Sequence, residues 1–156
     1  MSAAQLVARF VAHKRTCATA ESCTGGMVAA AITDIPGASA MFTHGFVTYA
    51  NAAKTQMLGV PATMLAEHGA VSEPVARAMA EGARRRAGTD YAISTTGIAG
   101  PEGGSPDKPV GTVWFGLAGP NGTTCYHQIF QGDRTAIRAQ AVEFILAQLE
   151  QRGDQT

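Results

Sequence analysis

Short runs of β-branched, aromatic and apolar residues alternate with helix-like segments along the first 98 residues of this chain. Residues 16–20, 42–49 and 91–98 have the composition of strands, and helix-like segments separate them. Two further strand-like runs stand on either side of the sequence PNG, which indicates a β-hairpin. Alternating strands and helices favour a mostly parallel sheet, to which the hairpin adds an antiparallel member. The sequence therefore predicts an α/β fold, a three-layer α/β/α sandwich around a mixed sheet of about five strands.

Residues that typically begin helices precede several of the helix-like segments. The first segment has an apolar stripe, with Ser2 as a plausible N-cap; the stripe consists of Leu6, Val7, Phe10 and Val11. An apolar helix of this kind can serve a dimer, so we expect a homo-oligomer. Further helices are expected over residues 24–34, after Asn51, after Pro61, after Ser72 and from Asp133 onwards.

The composition fits one globular domain over residues 1–156 and narrows the classes of partner. Hydrophobic residues make up 46% of the chain, and its 12 basic residues balance its 12 acidic ones. A neutral chain lacks the basic surplus that nucleic-acid binders usually carry. No uncharged apolar run approaches the ~20 residues that span a bilayer, and the N-terminus does not resemble a signal peptide. We therefore expect a cytoplasmic protein that binds neither nucleic acid nor membrane.

The cysteines and histidines give no sign of a disulfide framework or a metal site. Cys17, Cys23 and Cys125 form no C-x-x-C pair, and the four histidines are scattered along the chain. The turn at residues 22–26 has neither the lysine of a phosphate-binding loop nor the dinucleotide spacing G-x-G-x-x-G. We therefore expect no metal and no cofactor.

Three unusual segments follow the first three predicted strands, at the places where those strands end. They are residues 22–26, residues 49–54 and residues 95–111. In an open α/β sheet the ligand site lies at the carboxyl ends of the strands. The three segments are therefore expected to meet in one functional site.

The first segment, Ser22-Cys23-Thr24-Gly25-Gly26, joins a strand to a helix. A hydroxyl at the start of a helix lies beside N–H groups that have no helical partner, and the glycines let a ligand approach the backbone. Ser22 is thus a candidate nucleophile. Ser22 or Thr24 can equally be a simple N-cap. Cys23 is a rival nucleophile, because helix N-termini make thiols more acidic.

The second segment contains a lysine in an unfavourable place. Lys54 lies three residues after Asn51, the expected N-cap, where a capping box would have Glu or Gln. The helix dipole disfavours a cation there, and a desolvated lysine has a lowered pKa, so Lys54 can act as the general base that a serine needs. The alternative is that Lys54 extends into solvent. Tyr49 can orient the lysine, relay a proton, or cover the core.

The third segment is a long loop, residues 97–111, rich in glycine and proline. A loop of this length in a compact domain is usually functional or disordered. Thr95, Thr96 and Gly97 leave the strand end with backbone and hydroxyl groups that can bind substrate polar atoms. Lys108, within the loop, is the second candidate for the base.

Arg134 is another cation in the first turn of a helix, directly after Asp133. Its guanidinium can pair with a substrate phosphate or carboxylate. It can equally pair with a nearby acid, and the residues leave both interpretations open.

With these segments assembled, the sequence resembles the CinA C-terminal domain family, the nicotinamide-nucleotide amidohydrolases. The resemblance runs in family order over nearly the whole chain. It rests on "ATAESCTGG", "GFVTYANAAKTQMLGV", "GAVSEPVARAMAEGA", "STTGIAGPEGGSPDKPVGTVWFGL" and the late "GDR". Larger members of this family carry an N-terminal molybdopterin-binding-like domain. This sequence contains no such domain, so the resemblance is to the stand-alone form.

The resemblance implies metal-independent hydrolysis of the carboxamide of nicotinamide mononucleotide, giving nicotinate mononucleotide and ammonia in pyridine nucleotide recycling. It makes Ser22 the nucleophile and Lys54 the base, with Tyr49 assisting. It implies a substrate site lined by Thr24, Gly25, Gly26, Thr96, Gly97 and Gly100, with Arg134 contacting the nucleotide or supporting the pocket. The alternative from another class is a non-catalytic nucleotide- or nucleic-acid-binding module that uses the glycine-rich anion cradle.

Overall fold

The computed structural model describes residues 3–153, within which six α-helices and five β-strands occur. The strands are β1 (Cys17–Glu21), β2 (Phe42–Val47), β3 (Tyr91–Gly97), β4 (Thr112–Gly119) and β5 (Gly122–Ile129). The helices are α1 (Ala3–Ala12), α2 (Met27–Thr33), α3 (Asn51–Leu58), α4 (Ala62–His68), α5 (Glu73–Ala87) and α6 (Arg134–Gly153). A short 3₁₀ helix, Ala38–Ala40, precedes β2.

The five strands form one mixed sheet in the order β2-β1-β3-β4-β5. Strand β1 pairs in parallel with β2 and β3, whereas β4 runs antiparallel to both β3 and β5. Four strands therefore point in one direction and β4 in the other. The predicted mixed, mostly parallel sheet with a closing hairpin is confirmed.

Helices cover both faces of this sheet, which gives the predicted α/β/α sandwich. On one face, α1, α2 and α6 bury a core against β3 and β4, with Phe10, Ile32, Phe115 and Ile145 fully enclosed. On the other face, α3, α4 and α5 pack against alanines of β1 and β3. The small alanines allow these helices to approach the centre of the sheet closely, which matters because α3 carries Lys54.

Helix α1 uses its apolar stripe inside this chain. Leu6, Val7 and Phe10 are buried, and α1 packs against α6, whereas Val11 is 39% exposed and lies outside the stripe. The face on which we based the expected dimer is therefore already covered, and self-association would have to use another surface. Ser2, the predicted N-cap, lies outside the described residues. Within residues 3–153, no helix combines the length and the apolar character needed to cross a membrane.

Two predicted helix starts differ from the structure, and a third agrees in position. Helix α2 begins at Met27 instead of residue 24, because Gly26 has φ +105° and cannot continue a right-handed helix. The N-cap of α3 is Ala50, so that Asn51 is the first helical residue. Ser72 is the N-cap residue of α5, as predicted, but its hydroxyl donates to the Gly69 carbonyl and makes no capping hydrogen bond to the helix.

Close packing of α5 on α3 depends on Gly82. A Cβ at this position would lie 2.0 Å from the main-chain oxygen of Leu58, at the end of α3. Intrinsic helix propensity favours Gly82→Ala by roughly 1 kcal/mol. The added Cβ would, however, overlap the Leu58 main chain, which cannot move aside as a flexible side chain can.

We expect Gly82→Ala to lower the free energy of unfolding by about 1–3 kcal/mol, the cost typical of overpacking. Urea denaturation measures the change. A variant as stable as the parent or more stable would mean that propensity outweighs the clash and that α3 and α5 can separate.

Candidate active site

The three strand-end segments meet at the carboxyl end of β1, β2 and β3. Strands β1 and β2 pair in register from Ala18 to Glu21, with Glu21 opposite Val47, so the chain leaves both strands at the same level. A cavity of about 220 Å³ lies there. It is lined by Ser22, Cys23, Tyr49, Asn51, Lys54, Ala70, Val71, Thr96, Gly97, Ala99 and Arg134.

Ser22 and Lys54 face each other across the floor of this cavity. The Lys54 Nζ lies 2.9 Å from the Ser22 Oγ, although the residues are 32 positions apart in the chain. Ser22 is 8% exposed and Lys54 is 1% exposed. The alternative in which Lys54 extends into solvent is wrong, and the structure brings the two predicted residues into direct contact.

Three oxygens surround the amine of Lys54. Besides the Ser22 hydroxyl, the main-chain carbonyls of Thr48 and Tyr49 lie 2.8 and 3.1 Å from Nζ. A helical side chain leans towards the N-terminus of its helix, so Lys54 reaches back to the residues that precede α3. The carbonyls can only accept hydrogen bonds, whereas the hydroxyl can donate or accept.

Burial of the side chain lowers the pKa of Lys54 below its usual 10.5. When neutral, the amine has two N–H donors and one lone pair. The donors satisfy the Thr48 and Tyr49 carbonyls, so the lone pair is left for the hydroxyl proton of Ser22. In its neutral form the amine would therefore direct its lone pair at the Ser22 hydroxyl.

Glu21 is a buried acid next to Ser22 that the sequence interpretation overlooked. Its Oε1 accepts from the Val28 N–H at 2.8 Å and its Oε2 from the Ala29 N–H at 3.0 Å. The carboxylate thus occupies the N-terminus of α2, where the helix dipole favours negative charge. These N–H groups, which we expected to be free for a ligand, are already satisfied. The sequence did contain a sign of this role, because Glu21 is a single acidic residue at the end of an otherwise uncharged strand.

Thr24 does not reach the cavity. It is fully buried, and its hydroxyl donates to the Glu21 carboxylate at 2.6 Å and lies 2.7 Å from the Thr95 hydroxyl. Gly25 and Gly26, at φ +56° and +105°, form the turn without lining the cavity. The structure thus places these three predicted substrate contacts behind Ser22, where they shape the turn.

Tyr49, Arg134 and Gly100 lie together at the mouth of the site. Arg134 donates to the Gly100 carbonyl at 2.8 Å and to the Tyr49 hydroxyl at 3.1 Å. Tyr49 is 60% exposed, and it is its main-chain carbonyl, not its phenol, that contacts Lys54. The structure therefore brings the phenol to Arg134, whereas a proton relay would need it at the lysine.

The remaining predicted residues separate into two groups. Thr96 and Gly97 line the cavity, and the Thr96 hydroxyl donates to the Ala70 carbonyl at 2.8 Å. Lys108 lies elsewhere: its Nζ donates to the His68 carbonyl at the end of α4. Lys108 is half-buried and does not line the cavity, which removes it as the second candidate for the base.

Cys23 lines the cavity but is a poor nucleophile. Desolvation by burial raises its pKa from 9.0 to about 11, and this outweighs hydrogen bonds that favour the thiolate. Two pKa units mean that about 100-fold less thiolate is present near neutral pH.

We expect Cys23 to react with iodoacetamide at pH 7.5 about 100-fold more slowly than a free cysteine. Mass spectrometry of the native protein over time measures the rate. Modification at the rate of free cysteine would contradict the burial and would restore Cys23 as a rival to Ser22.

Arg138, on α6, is a second residue that the sequence interpretation overlooked. Its Nε donates to the Cys23 carbonyl at 3.1 Å, and its Nη2 lies 3.4 Å from the Thr24 carbonyl. It is one helical turn after Arg134, so both guanidiniums extend from the same side of α6. The spacing R-x-x-x-R at the start of the helix was the available signal.

Two larger clefts lie away from this site. One, of about 680 Å³, lies between the end of α5 and the β4–β5 hairpin, and the other, of about 730 Å³, lies beside α6. Neither is lined by a serine, cysteine or lysine. In the described part of the chain, no three His, Cys, Asp or Glu side chains are grouped so as to hold a metal ion.

Known proteins of one family share the sequence and the fold of this chain. The family model of the CinA C-terminal domain matches residues 1–152. The chain belongs to the CinA C-terminal domain family. Among solved structures of this family, the competence/damage inducible protein CihA from Agrobacterium tumefaciens superposes with a TM-score of 0.92 at 43% identity. That likeness covers 94% of this chain and 90% of the other.

Two relatives within the CinA family differ in length. A CinA-like protein from Anaeromyxobacter dehalogenans (strain 2CP-C) is 59% identical over 87% of this chain, which spans only 33% of that relative. The nicotinamide-nucleotide amidohydrolase PncC from Escherichia coli (strain K12) is 56% identical over 90% of this chain and 86% of its own length. The chain thus spans about a third of the longer CinA-like proteins and most of PncC.

Proposed function

We propose that this protein hydrolyses the carboxamide of nicotinamide mononucleotide to nicotinate mononucleotide and ammonia, as a step in the recycling of pyridine nucleotides. The observation that carries the proposal is the 2.9 Å contact between the buried Lys54 amine and the Ser22 hydroxyl. The substrate class comes from the similarity to PncC, whose name is nicotinamide-nucleotide amidohydrolase.

In the first half of the reaction, the neutral Lys54 amine takes the hydroxyl proton as the Ser22 Oγ attacks the carboxamide carbon. The carbonyl oxygen becomes an oxyanion in the tetrahedral intermediate. The Lys54 ammonium then returns its proton to the amide nitrogen, the C–N bond breaks, and ammonia leaves. Ser22 now carries the nicotinoyl group as an ester.

In the second half, a water molecule replaces ammonia. Lys54 accepts a proton from this water as its oxygen attacks the ester carbon, and the Ser22 Oγ leaves with the proton that Lys54 returns. The Thr48 and Tyr49 carbonyls hold the amine in place throughout, so one group serves as base and acid in both halves. No step requires a metal ion or a cofactor.

The size of the cavity supports a division of the substrate into two parts. At about 220 Å³ it is smaller than the ~300–1,000 Å³ of pockets that enclose a whole drug-sized ligand. The pyridine carboxamide would occupy the cavity, and the ribose phosphate would lie over the mouth. Arg134 and the Tyr49 phenol are at the mouth, where a guanidinium can pair with the phosphate.

Ammonia release from nicotinamide mononucleotide by the purified protein, with a chelator present, tests the proposal. Nicotinate mononucleotide formed in equal amount with ammonia supports it, and nicotinamide riboside as substrate measures the contribution of the phosphate. Tight binding of the nucleotide without ammonia release would favour the non-catalytic binding module instead. If the protein neither released ammonia from the nucleotide nor bound it, the substrate assignment would be contradicted.

A further inference from the structure

The oxyanion of the proposed intermediate needs N–H donors, and the N-terminus of α2 does not supply them. Glu21 accepts the Val28 and Ala29 N–H groups, and the Met27 N–H donates to the Thr24 carbonyl. In the segment between β1 and α2, a free main-chain donor must therefore lie before Met27.

Three N–H groups of the turn have no main-chain acceptor within residues 3–153, those of Cys23, Thr24 and Gly26. The Ser22 N–H donates to the Thr95 carbonyl and the Gly25 N–H to the Ser22 carbonyl. Of the three residues, Cys23 is the one that lines the cavity. The N–H of the residue after the nucleophile, here Cys23, is a frequent oxyanion donor in serine hydrolases.

The N–H groups of Cys23 and Thr24 are each linked to Arg138, through the peptide groups to which they belong and the hydrogen bonds of the turn. A trans peptide group is planar, with its C=O and N–H pointing in opposite directions. Arg138 binds the Cys23 carbonyl, so it directs the Thr24 N–H of the same peptide group away from the guanidinium.

The Cys23 N–H is reached through one further hydrogen bond. Arg138 Nη2 lies 3.4 Å from the Thr24 carbonyl, whose peptide group carries the Gly25 N–H. That N–H donates to the Ser22 carbonyl at 3.1 Å, and the Ser22 carbonyl shares its peptide group with the Cys23 N–H. The guanidinium charge of Arg138 thus lies at one end of both series of hydrogen-bonded peptide groups. Linked hydrogen bonds polarise one another.

The turn leaves space for this guanidinium. A Cβ at Gly25 would lie 3.3 Å from Arg138 Nη2, and Gly25 has φ +56°. Glycine at this position therefore adopts the left-handed backbone conformation without strain and leaves room for the Arg138 guanidinium.

We propose that Arg138 is a positioning residue that, through the peptide groups of the turn, orients and polarises the Cys23 N–H as an oxyanion donor beside Ser22. The inference rests on the proposed amide hydrolysis for the identity of the oxyanion. Within residues 3–153, the side-chain contacts of Arg138 with the turn are to the Cys23 and Thr24 carbonyl oxygens, so it acts through the peptide groups. A lysine cannot reproduce the fork that binds both carbonyls.

The first test compares Arg138→Lys and Arg138→Met with Arg85→Met, a control that removes an exposed arginine near the end of α5. Loss of one oxyanion donor costs about 10²–10³ in kcat. Because Arg138 supports the donor without replacing it, we expect kcat to fall about 10–100-fold in both Arg138 variants, with KM changed less than about threefold. About 50 mM guanidinium should restore part of the kcat of Arg138→Ala, which leaves room for the ion, and leave Arg138→Lys unchanged, because the lysine still fills the space.

The second test does not depend on the amide substrate. A fluorophosphonate reacts when the Ser22 Oγ bonds to phosphorus, the P–F bond breaks, fluoride leaves, and Lys54 takes the proton. The oxyanion site binds the phosphoryl oxygen, so labelling of Ser22 should slow by a factor similar to that in kcat. Melting temperatures of all variants separate this effect from unfolding.

The outcomes separate this inference from the proposed function. Fast labelling of the wild type with slow labelling of folded Arg138 variants supports the role of Arg138, even if nicotinamide mononucleotide is untouched. Equal labelling and turnover in folded Arg138→Met and wild type would overturn it. A folded wild type that neither labels nor turns over the nucleotide would remove the oxyanion site and the proposed function together.

Discussion

Ser22→Ala is expected to lower kcat for ammonia release by about 10⁴–10⁶-fold, the range seen when a serine nucleophile is removed from a hydrolase. The Oγ is the only atom lost, and the Lys54 amine keeps its bonds to the Thr48 and Tyr49 carbonyls. The cavity and the Lys54 geometry should therefore persist. The measurement is turnover of nicotinamide mononucleotide, together with a circular dichroism melt.

Ser39→Ala is the matched control, because Ser39 is exposed in the short 3₁₀ helix and is remote from the cavity lining. It should retain the wild-type kcat. A well-folded Ser22→Ala protein that still releases ammonia within tenfold of the wild-type rate would exclude Ser22 as the nucleophile. Cys23 would then be the next residue to test, despite its raised pKa.

Lys54→Met is expected to lower kcat by at least about 10³-fold, since general base catalysis alone contributes about 10²–10⁴-fold and the lysine serves in both halves of the reaction. Methionine has nearly the same length and no charge, so it fills the same buried space. It leaves the Thr48 and Tyr49 carbonyls without their donor, which should also lower stability by about 1–3 kcal/mol. Turnover and urea denaturation of the same sample separate the two effects.

The pH dependence of the wild type gives a second test of Lys54. Only the neutral amine can accept the Ser22 proton, so kcat/KM should rise with pH through the pKa of Lys54. Burial places this pKa below 10.5, and the rise should therefore occur at a lower pH than for an exposed lysine. Cys23, with a pKa of about 11, stays largely protonated until the alkaline end of this range.

A rate that is independent of pH between 6 and 10, in a protein whose chemical step limits turnover, would contradict a titrating lysine base. So would a Lys54→Met variant with the wild-type profile. If the rate changed with pH because the protein unfolds, denaturation curves of the wild type and of Lys54→Met, recorded at the same pH values, would show the unfolding.

Much of the fold could be predicted because its signals are local. The alternation of strand-like and helical segments indicated the mixed sheet, and the sequence PNG marked the hairpin of β4 and β5. Helix starts were less accurate. Asn51 is a good N-cap by residue type, yet Ala50 takes that place, and the two residues before Ala50 direct their carbonyls at Lys54.

The candidate site was predicted in outline for a similar reason. Parallel strands that adjoin bring their carboxyl ends to one edge, so residues that follow β1 and β2 in the sequence become neighbours in space. A lysine at an unfavourable helix position needed a reason, and the contact with Ser22 at 2.9 Å supplies one. The distance itself depends on the register of β1 against β2, which no local pattern contains.

Local patterns in the sequence were enough to predict which elements form and which polar residues leave the ends of the strands. Which of these residues face the cavity and which support it depends on how the elements pack together. Thr24 lies behind Ser22 because it is held by Glu21 and Thr95, and Arg138 reaches the Cys23 carbonyl from 115 positions away. A buried polar group must find a hydrogen-bond partner, and here that partner is supplied by whichever element packs beside it, at a separation along the chain that residue spacing cannot encode.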